Sequence, residues 1–315
     1  MDNLKPKKIN PAISVLLPVY NAEQFVREAV DSILAQSFAD FELIALDDGS
    51  TDRSLSILRE YEARDPRVRI ITRENRGLVA SLNQLMAAAR GSYLARMDAD
   101  DVCMPRRFEQ QLAFLKSNPD HVAVGGWVIH MNESGLPIGP VKTPTEHADI
   151  DQAHLKGHTS IWHPTALIKK DAVLSIGGYR EEFQHAEDLD LWLRLAELGR
   201  LANLSEFVLR YRLHASSVSQ TQGLLQQSAA KRACSIAWRR RGIDGNFEAV
   251  DLWRPTKDRA SEHKFALQYG WTAWSHGYDK SWRTYAWKAL RLRPFAISSW
   301  QLIVFGLLKK PTGDN

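Results

Sequence analysis

Four segments of this chain carry residue types suited to chemistry on a charged, oxygen-rich substrate. They are Tyr20-Asn21, Asp47-Asp48-Gly49-Ser50, Arg73-Glu74-Asn75-Arg76-Gly77 and Asp98-Ala99-Asp100-Asp101. The last is the most informative. The run Tyr93-Leu94-Ala95-Arg96-Met97 ends in three carboxylates within four residues. Side chains of an extended chain alternate, so Asp98 and Asp100 would leave a strand end on the same side. Two like charges with nothing basic between them repel and need a cation. Hard divalent cations such as Mg²⁺ and Mn²⁺ take oxygen ligands, commonly one or two carboxylates together with phosphate oxygens of a substrate. A solvated acidic turn after a strand is the plain alternative, and for an isolated Asp-X-Asp it is the commoner one. The other three segments reverse that preference, because of where the secondary structure puts them.

The first 125 residues alternate strand and helix signals. Apolar runs at Ile13–Pro18, Phe41–Leu46, Val68–Ile71 and Tyr93–Met97 read as strands, and Val122–Val124 as the next. Helical spacing appears in Phe25–Ala35, after Thr51-Asp52, in Leu78–Ala89 and after Pro105, a favoured first helical residue. This alternation predicts βαβ units and a mainly parallel sheet with helices on both faces. In such sheets ligands bind beyond the carboxyl ends of the strands. Each of the four polar segments follows one of the first four strands, so all four gather at one edge. Turn chemistry explains one or two such clusters and not the whole set.

Further along, short apolar pieces around Glu133-Ser134-Gly135 predict a hairpin between Val128 and Pro144. His163–Lys169 and Leu204–Arg212 read as strands, Asp188–Leu198 as a helix, and Gln220–Gln227 as a polar linker. The chain thus divides into residues 1–220 and a C-terminal region, 221–315, with helical patterns rich in tryptophan (Trp238, Trp253, Trp271, Trp274, Trp282, Trp287, Trp300). No internal repeat is evident. Ser299–Leu308 is strongly apolar, precedes Lys309-Lys310, and is too short to span a bilayer. It fits a core helix first, and otherwise a helix lying in a membrane interface.

Composition narrows the class. Length allows one large domain, or one large and one small. The two cysteines, Cys103 and Cys234, match no metal-ligand spacing and suit a reducing compartment. The start of the chain lacks the apolar core of a secretory signal, and no stretch is apolar enough to span a membrane. Residues 221–315 hold 16 Lys and Arg against 7 Asp and Glu, whereas the rest is net acidic. A basic tail on an acidic body suits an anionic partner: a membrane surface, a lipid phosphate or nucleic acid. A solvated helical face explains any single one of these cations equally well.

Taken in order, Pro18-Val19-Tyr20-Asn21, Asp47-Asp48-Gly49-Ser50, Asn75-Arg76-Gly77 and Asp98-Ala99-Asp100-Asp101 resemble a family 2 glycosyltransferase of the bacterial polysaccharide-biosynthesis type. Glu187-Asp188-Leu189-Asp190-Leu191-Trp192 resembles that family's acceptor-site motif. Tyr211-Arg212-Leu213-His214, with Ser217 and Ser219, resembles the segment that closes its active site. The resemblance covers roughly residues 11–220 and rests on six motifs in order. It implies a GT-A fold with a C-terminal helical extension, a nucleotide-diphosphate sugar donor with a UDP-sugar foremost, Mn²⁺ or Mg²⁺, and inversion at the anomeric carbon. It places Asp100 on the metal, Asp98 near metal and ribose, and Asp48 on the base edge of the nucleotide. Pro18, Tyr20, Asn21, Asp47 and Asn75 fall on the same nucleotide-sugar side, and His214 near the metal or diphosphate. Asp188 becomes the base, with Glu187, Trp192 and His163 on the acceptor side. Asp188 also opens a predicted helix, whose dipole would lower its pKa while neighbouring Glu187 opposes that shift. Asp190 reads as structural or as an acceptor contact, and Arg106 and Arg107 as phosphate contacts or caps of acidic neighbours. Asp101 receives no role. A saccharide or lipid-linked saccharide acceptor, at the cytoplasmic face of the cell membrane, completes the expectation.

Two other readings compete. A nucleotidyltransferase acting on sugar phosphates also uses paired aspartates, but it needs a glycine-rich basic loop after the first strand. Here that loop is Pro-Val-Tyr-Asn-Ala-Glu. An inactive nucleotide-sugar-binding module is disfavoured because every expected carboxylate is present. No recognised motif supports nucleic-acid binding. The sugar, the acceptor, the linkage and the oligomeric state are not written in the sequence.

Overall fold

The computed structural model describes residues 10–213, 223–249 and 258–308. Its first half runs β1 (Ile13–Val19), α1 (Val26–Leu34), β2 (Phe41–Asp47), α2 (Ser54–Arg64), β3 (Val68–Thr72), α3 (Leu78–Ala88) and β4 (Tyr93–Arg96). Next come the short β5 (Val102–Cys103), α4 (Arg107–Ser117), β6 (His121–Asn132), β7 (Pro137–Val141) and α5 (His147–Leu155). β8 (Leu167–Lys169), α6 (Lys170–Ser175), α7 (Glu187–Leu195) and β9 (Arg200–Leu213) follow. The described C-terminal elements are α8 (Gly223–Arg241), α9 (Arg259–Ser275), α10 (Asp279–Leu292) and α11 (Ile297–Leu308).

The strands form one sheet in the order β3-β2-β1-β4-β8-β6-β9-β5, with β7 paired to β6. β1 lies between β2 and β4, parallel to both. β1 and β2 therefore read as unbroken buried runs rather than alternating ones. α1 buries Val26, Ala29, Val30 and Ile33, the helical spacing of its apolar residues. The parallel half ends at β4, whose pairing with β8 is antiparallel, as is that of β8 with β6. The β1–β4 register ends at Leu16↔Arg96, two residues before Pro18. Pro18 therefore lies where β1 no longer needs an N–H for β4, which is where a central strand tolerates proline.

Three sequence expectations change. His163–Thr165 is a 3₁₀ turn, and only Leu167–Lys169 is strand; Pro164 lacks the N–H that a ladder would use. Val122–Val124 is the start of a strand that continues to Asn132. The polar stretch to Gln227 lies in helix from Gly223 onward; glutamine and leucine are good helix formers whatever their polarity. The hairpin around Glu133-Ser134-Gly135 is present, with Gly135 at positive φ and the Asn132 Oδ1 accepting from Leu136 N–H at 2.9 Å.

The chain packs as two units. The first comprises residues 1–127, 142–209 and Leu224–Ala249, and the second 128–141, 210–223 and 250–315. The first unit thus takes in α8, beyond the compositional change near residue 220. The small residues Ala230, Ala233, Cys234 and Ala237 of α8 pack on Leu189 and Leu193 of α7. Arg240 and Arg241 pair with Glu197, and Arg241 with Asp151. Part of the basic excess of the C-terminal region is therefore neutralised inside this unit.

Candidate active site

The carboxyl ends of the parallel strands bring the predicted segments together. After β2, Gly49 takes φ +77, and a Cβ there would meet the Asn75 backbone nitrogen at 2.8 Å. The turns after β2 and β3 thus abut, and only glycine fits. Buried Asp48 ties them. It accepts from Arg73 Nε at 2.8 Å, from Gly77 N–H at 2.7 Å and from Arg76 N–H at 3.1 Å. Asp47 is also buried; its Oδ2 accepts from Ser50 N–H at 3.3 Å and its Oδ1 makes no hydrogen bond among the described residues. Asn21, at φ 49, accepts on Oδ1 from Thr51 N–H at 2.8 Å, so the turn after β1 joins the same group. Tyr20 and Asn75 are exposed at its rim and Pro18 is buried beneath it. An open pocket of about 570 Å³ borders this side, lined by Arg73, Arg76, Gly77, Asn83, Gln84 and Glu181 among others.

β4 ends at Arg96, before the acidic segment. Asp98, Asp100 and Asp101 therefore lie in a turn, and not in the alternating strand that their spacing suggested. The turn still gathers them: one oxygen from each lies within 4.8 Å of the others. Asp101, without a role in the sequence reading, is the most buried of the three at 1 % exposure. Three hard oxygen donors at this spacing fit a divalent cation such as Mn²⁺ or Mg²⁺.

The repulsion inferred from sequence has a second answer. Arg96, only 4 % exposed, forms an ion pair with Asp98. Burial works against its charge, but Asp98 first, and then Tyr179 and Asp101, outweigh it and hold the guanidinium protonated. A lone arginine in an apolar strand was the signal available in the sequence, since buried arginines need a partner.

α7 presents Glu187 and Asp188 to the same group. Burial pushes both carboxyls above the ordinary range; Asp188 adds to the effect on Glu187, Asp98 adds to that on Asp188, and Arg96 opposes it for each. The helix-dipole lowering expected for Asp188 is therefore overturned. Its Oδ1 does accept from Leu189 N–H at 2.7 Å, but desolvation wins. Asp98, Arg96 and Asp188 are near enough for their charges to act on one another, so the acceptor-motif carboxylates lie close to the acidic turn.

Behind them His163 is buried and bonded through Nε2 to the Tyr179 hydroxyl at 2.7 Å. Burial, then Arg96, lowers the His163 pKa well below the usual histidine range, so the ring is neutral. Trp192 is fully buried, with its ring edge-on to His163 at 6.0 Å. Both shape the wall of the site from within. Asp190 is structural: Arg180 and Arg194 clamp it, and Arg194 also donates to the carbonyls of Ile176 and Gly178. Arg107 is no phosphate ligand. It is fully buried and donates to the Arg96 carbonyl at 2.8 Å, fixing the end of β4. Arg106 pairs with Glu109. His214, Ser217 and Ser219 lie outside the described residues. Arg73, Arg96 and Tyr179 are the residues that the motif reading did not single out as functional.

A parallel sheet that turns antiparallel after its fourth strand, with an acidic turn at that point, defines a GT-A glycosyltransferase scaffold. Residues 14–177 match the model of glycosyl transferase family 2, and the chain belongs to that family. Over 218 residues it is 37 % identical to the O-antigen biosynthesis glycosyltransferase WbnJ of Escherichia coli, covering 68 % of this chain and 84 % of that one. It is 37 % identical over 207 residues to the putative glycosyltransferase EpsE of Bacillus subtilis, covering 64 % and 73 %. Among solved structures, the mannosyltransferase PcManGT of Pyrobaculum calidifontis, in complex with GDP-Man and Mn²⁺, aligns with a TM-score of 0.58 at 18 % identity, covering 96 % and 81 %. S. aureus TarS, residues 1–349 in complex with UDP-GlcNAc, gives 0.58 at 16 % identity, covering 89 % and 81 %.

Proposed function

We propose that this chain is an inverting glycosyltransferase. It moves a sugar from a nucleotide-diphosphate sugar, a UDP-sugar foremost, to a hydroxyl of a saccharide or lipid-linked saccharide during cell-surface polysaccharide assembly. The observation that carries this reading is the meeting of two acidic groups of different environment around one arginine: Asp98/Asp100/Asp101 on one side and Glu187/Asp188 on the other. Relatives named for O-antigen and amylovoran biosynthesis support the setting.

In this reading the nucleotide lies along the turns after β1, β2 and β3, against Pro18, Tyr20, Asn21, Asp47, Asp48 and Asn75. Asp100, with Asp98, would hold Mn²⁺ or Mg²⁺; the resemblance adds His214, which lies outside the described residues. Such a cation, when bound, neutralises the charge that grows on a departing nucleoside diphosphate. Asp188 takes the proton of the acceptor hydroxyl. The acceptor oxygen forms its bond to the anomeric carbon from the face opposite the diphosphate, whose C–O bond breaks. The raised pKa of Asp188 brings the carboxylate nearer the operating pH, where a general base is most effective. Glu187 faces the acceptor beside it, with His163 and Trp192 stiffening the wall behind. The basic C-terminal region faces an anionic membrane surface, at which the enzyme is peripheral.

The test is release of nucleoside diphosphate from a panel of UDP- and GDP-sugars, with Mn²⁺, with Mg²⁺ and with a chelator. Asp188→Asn is expected to lower transfer by about 100-fold or more while donor binding persists, the range of a lost general base. No turnover and no nucleotide binding across the panel would overturn the transferase reading. Wild-type turnover in Asp188→Asn would reassign the base.

A further inference from the structure

Of the large apolar side chains left in solvent among the described residues, most lie together, whereas Tyr20, Leu174, Leu198, Leu225 and Ile243 are scattered singly. Trp287, Phe295, Ile297, Trp300, Val304, Phe305, Leu307 and Leu308 are all exposed, and all lie in the last two helices of the second unit and the turn between them. Phe295 is 97 % exposed and Leu308 79 %. Concentrated apolar surface of this kind marks an interaction site.

α11 accounts for most of it, because it is apolar on two faces. One face is inward: Ser299 and Leu302 are buried, and a Cβ on Gly306 would meet the Trp282 ring at 2.6 Å. Leu302 packs in a small core with Ala273, Trp282 and Ala286. The Ser299 hydroxyl bonds to His263 Nε2 at 2.8 Å, which fixes the rotation of the helix. Ile297, Trp300, Val304, Leu307 and Leu308 follow at spacings of three and four residues, so they form a second stripe that faces out. The helix contains no charged residue. At about 1.5 Å per residue it is roughly 18 Å long, well short of the roughly 30 Å hydrocarbon core of a bilayer.

Charge identifies the occupant. From Lys280 to Lys310 the chain has seven cations, Lys280, Arg283, Lys288, Arg291, Arg293, Lys309 and Lys310, and no acidic residue. Arg283, Lys288, Arg291 and Arg293 are exposed. A second copy of this face would bring like charges together around the apolar stripe. Nucleic acid would leave the uncharged Trp/Phe/Leu stripe without a match. A bilayer bearing anionic headgroups matches both parts: acyl chains for the stripe and phosphates for the cations that flank it.

We propose that α11, with Phe295 in the turn before it, lies in the interface of an anionic membrane as a monotopic anchor. The stripe enters the headgroup–acyl boundary, and the exposed Arg291 and Arg293 before the helix engage lipid phosphates. This names the element and the depth of the membrane association read from composition, and it does not depend on the donor or on the base.

The test is sedimentation of the full chain with vesicles of pure phosphatidylcholine and with vesicles containing about 30 % phosphatidylglycerol, since each cation near an anionic surface is worth roughly fivefold in partitioning. Binding is expected only to the anionic vesicles, and to weaken when salt is raised from about 0.1 M to about 1 M. Phe295→Ser/Leu307→Ser/Leu308→Ser should weaken it at least about tenfold, as loss of buried apolar area demands. These positions are exposed, so the melting temperature should hold. Arg291→Glu/Arg293→Glu should weaken it independently. Several results would overturn the proposal: no binding to anionic vesicles, or binding unchanged in the triple-serine variant. Dimerisation in solution that the triple-serine variant abolishes, or binding of duplex DNA or RNA as tight as that of anionic vesicles, would do the same. Nucleoside diphosphate release from donor alone, measured on the same samples, reports separately on the transferase reading.

Discussion

Arg96→Met removes one positive charge from a position that four carboxylates sense: Asp98, Asp101, Glu187 and Asp188. Methionine keeps much of the side-chain length and suits the apolar strand. Breaking a fully buried ion pair costs about 3–5 kcal/mol. Here the Asp98 side chain keeps 30 % of its exposure, so water can compensate part of the lost partner. The expected loss is therefore about 1–3 kcal/mol, or roughly 2–4 °C in Tm per kcal/mol for a unit of this size. Activity should suffer differently. Without Arg96, the pKa values of Asp188 and Glu187 rise further from an already raised position, and a close charge shifts a carboxyl by about 1–3 units. The deprotonated base then becomes scarce at neutral pH. Turnover should fall about 10- to 100-fold at pH 7, with the acidic limb of the pH–rate profile displaced upward.

A third readout separates electrostatics from packing. Asp98 is shared between Arg96 and any cation in the turn. Removing Arg96 leaves the cluster more negative, so Mn²⁺ should bind the nucleotide-free protein about tenfold more tightly, the effect of a nearby charge in a partly buried site. Free Mn²⁺ is counted directly by electron paramagnetic resonance, without turnover. Arg96→Lys, which keeps the charge, should restore most of the pH profile. A variant with a lower Tm but an unmoved pH profile and unchanged Mn²⁺ affinity would refute the reasoning and reduce Arg96 to a packing element.

Three further outcomes follow from the same geometry. Glu187 has a folded pKa above its unfolded value, so the stability it contributes is full below the unfolded pKa and lost as pH rises through the folded one; Glu187→Gln should therefore raise Tm at pH 7–8 and leave it unchanged near pH 4, as scanning calorimetry across pH would reveal. Asp100→Ala should abolish the Mn²⁺-dependent part of UDP binding, and calorimetric titrations with and without metal that give equal affinities in both proteins would remove the metal from Asp100. Asp48→Ala takes the acceptor from Arg73 Nε and from two backbone N–H groups, although Arg73 keeps Gln84 and Ser81, which should cost about 2–4 kcal/mol and loosen the 73–77 turn; an unchanged denaturation midpoint would show that Asp48 is held for ligand alone.

The half of the fold built from consecutive βαβ units was legible because there sequence order and spatial order run together. Each strand ends at the edge where its polar segment works, so placing the strands placed Asp48, Asn75 and Asp98. The antiparallel half was legible only in part: its hairpin around Glu133-Ser134-Gly135 and the strand through Leu204–Arg212 read through, and the rest did not. Its short β8 carries too few residues for a period, and the strand that begins at His121 reads as two pieces because Gly125-Gly126 interrupt it. The site failed to read through wherever burial, not residue type, sets the chemistry. Asp188 at a helix start looks like a carboxyl with a lowered pKa; only its desolvation in the folded chain reverses the sign. Asp48 looks like a ligand contact, yet its oxygens are taken up by the neighbouring turn, while Asp47 beside it keeps a buried oxygen without a hydrogen bond. One residue links these cases. Arg96 was visible as a charge in an apolar run, and a buried cation must have anions around it. That requirement alone ties the acidic turn to whatever carboxylates lie across from it, and Glu187-Asp188 is the pair the fold supplies.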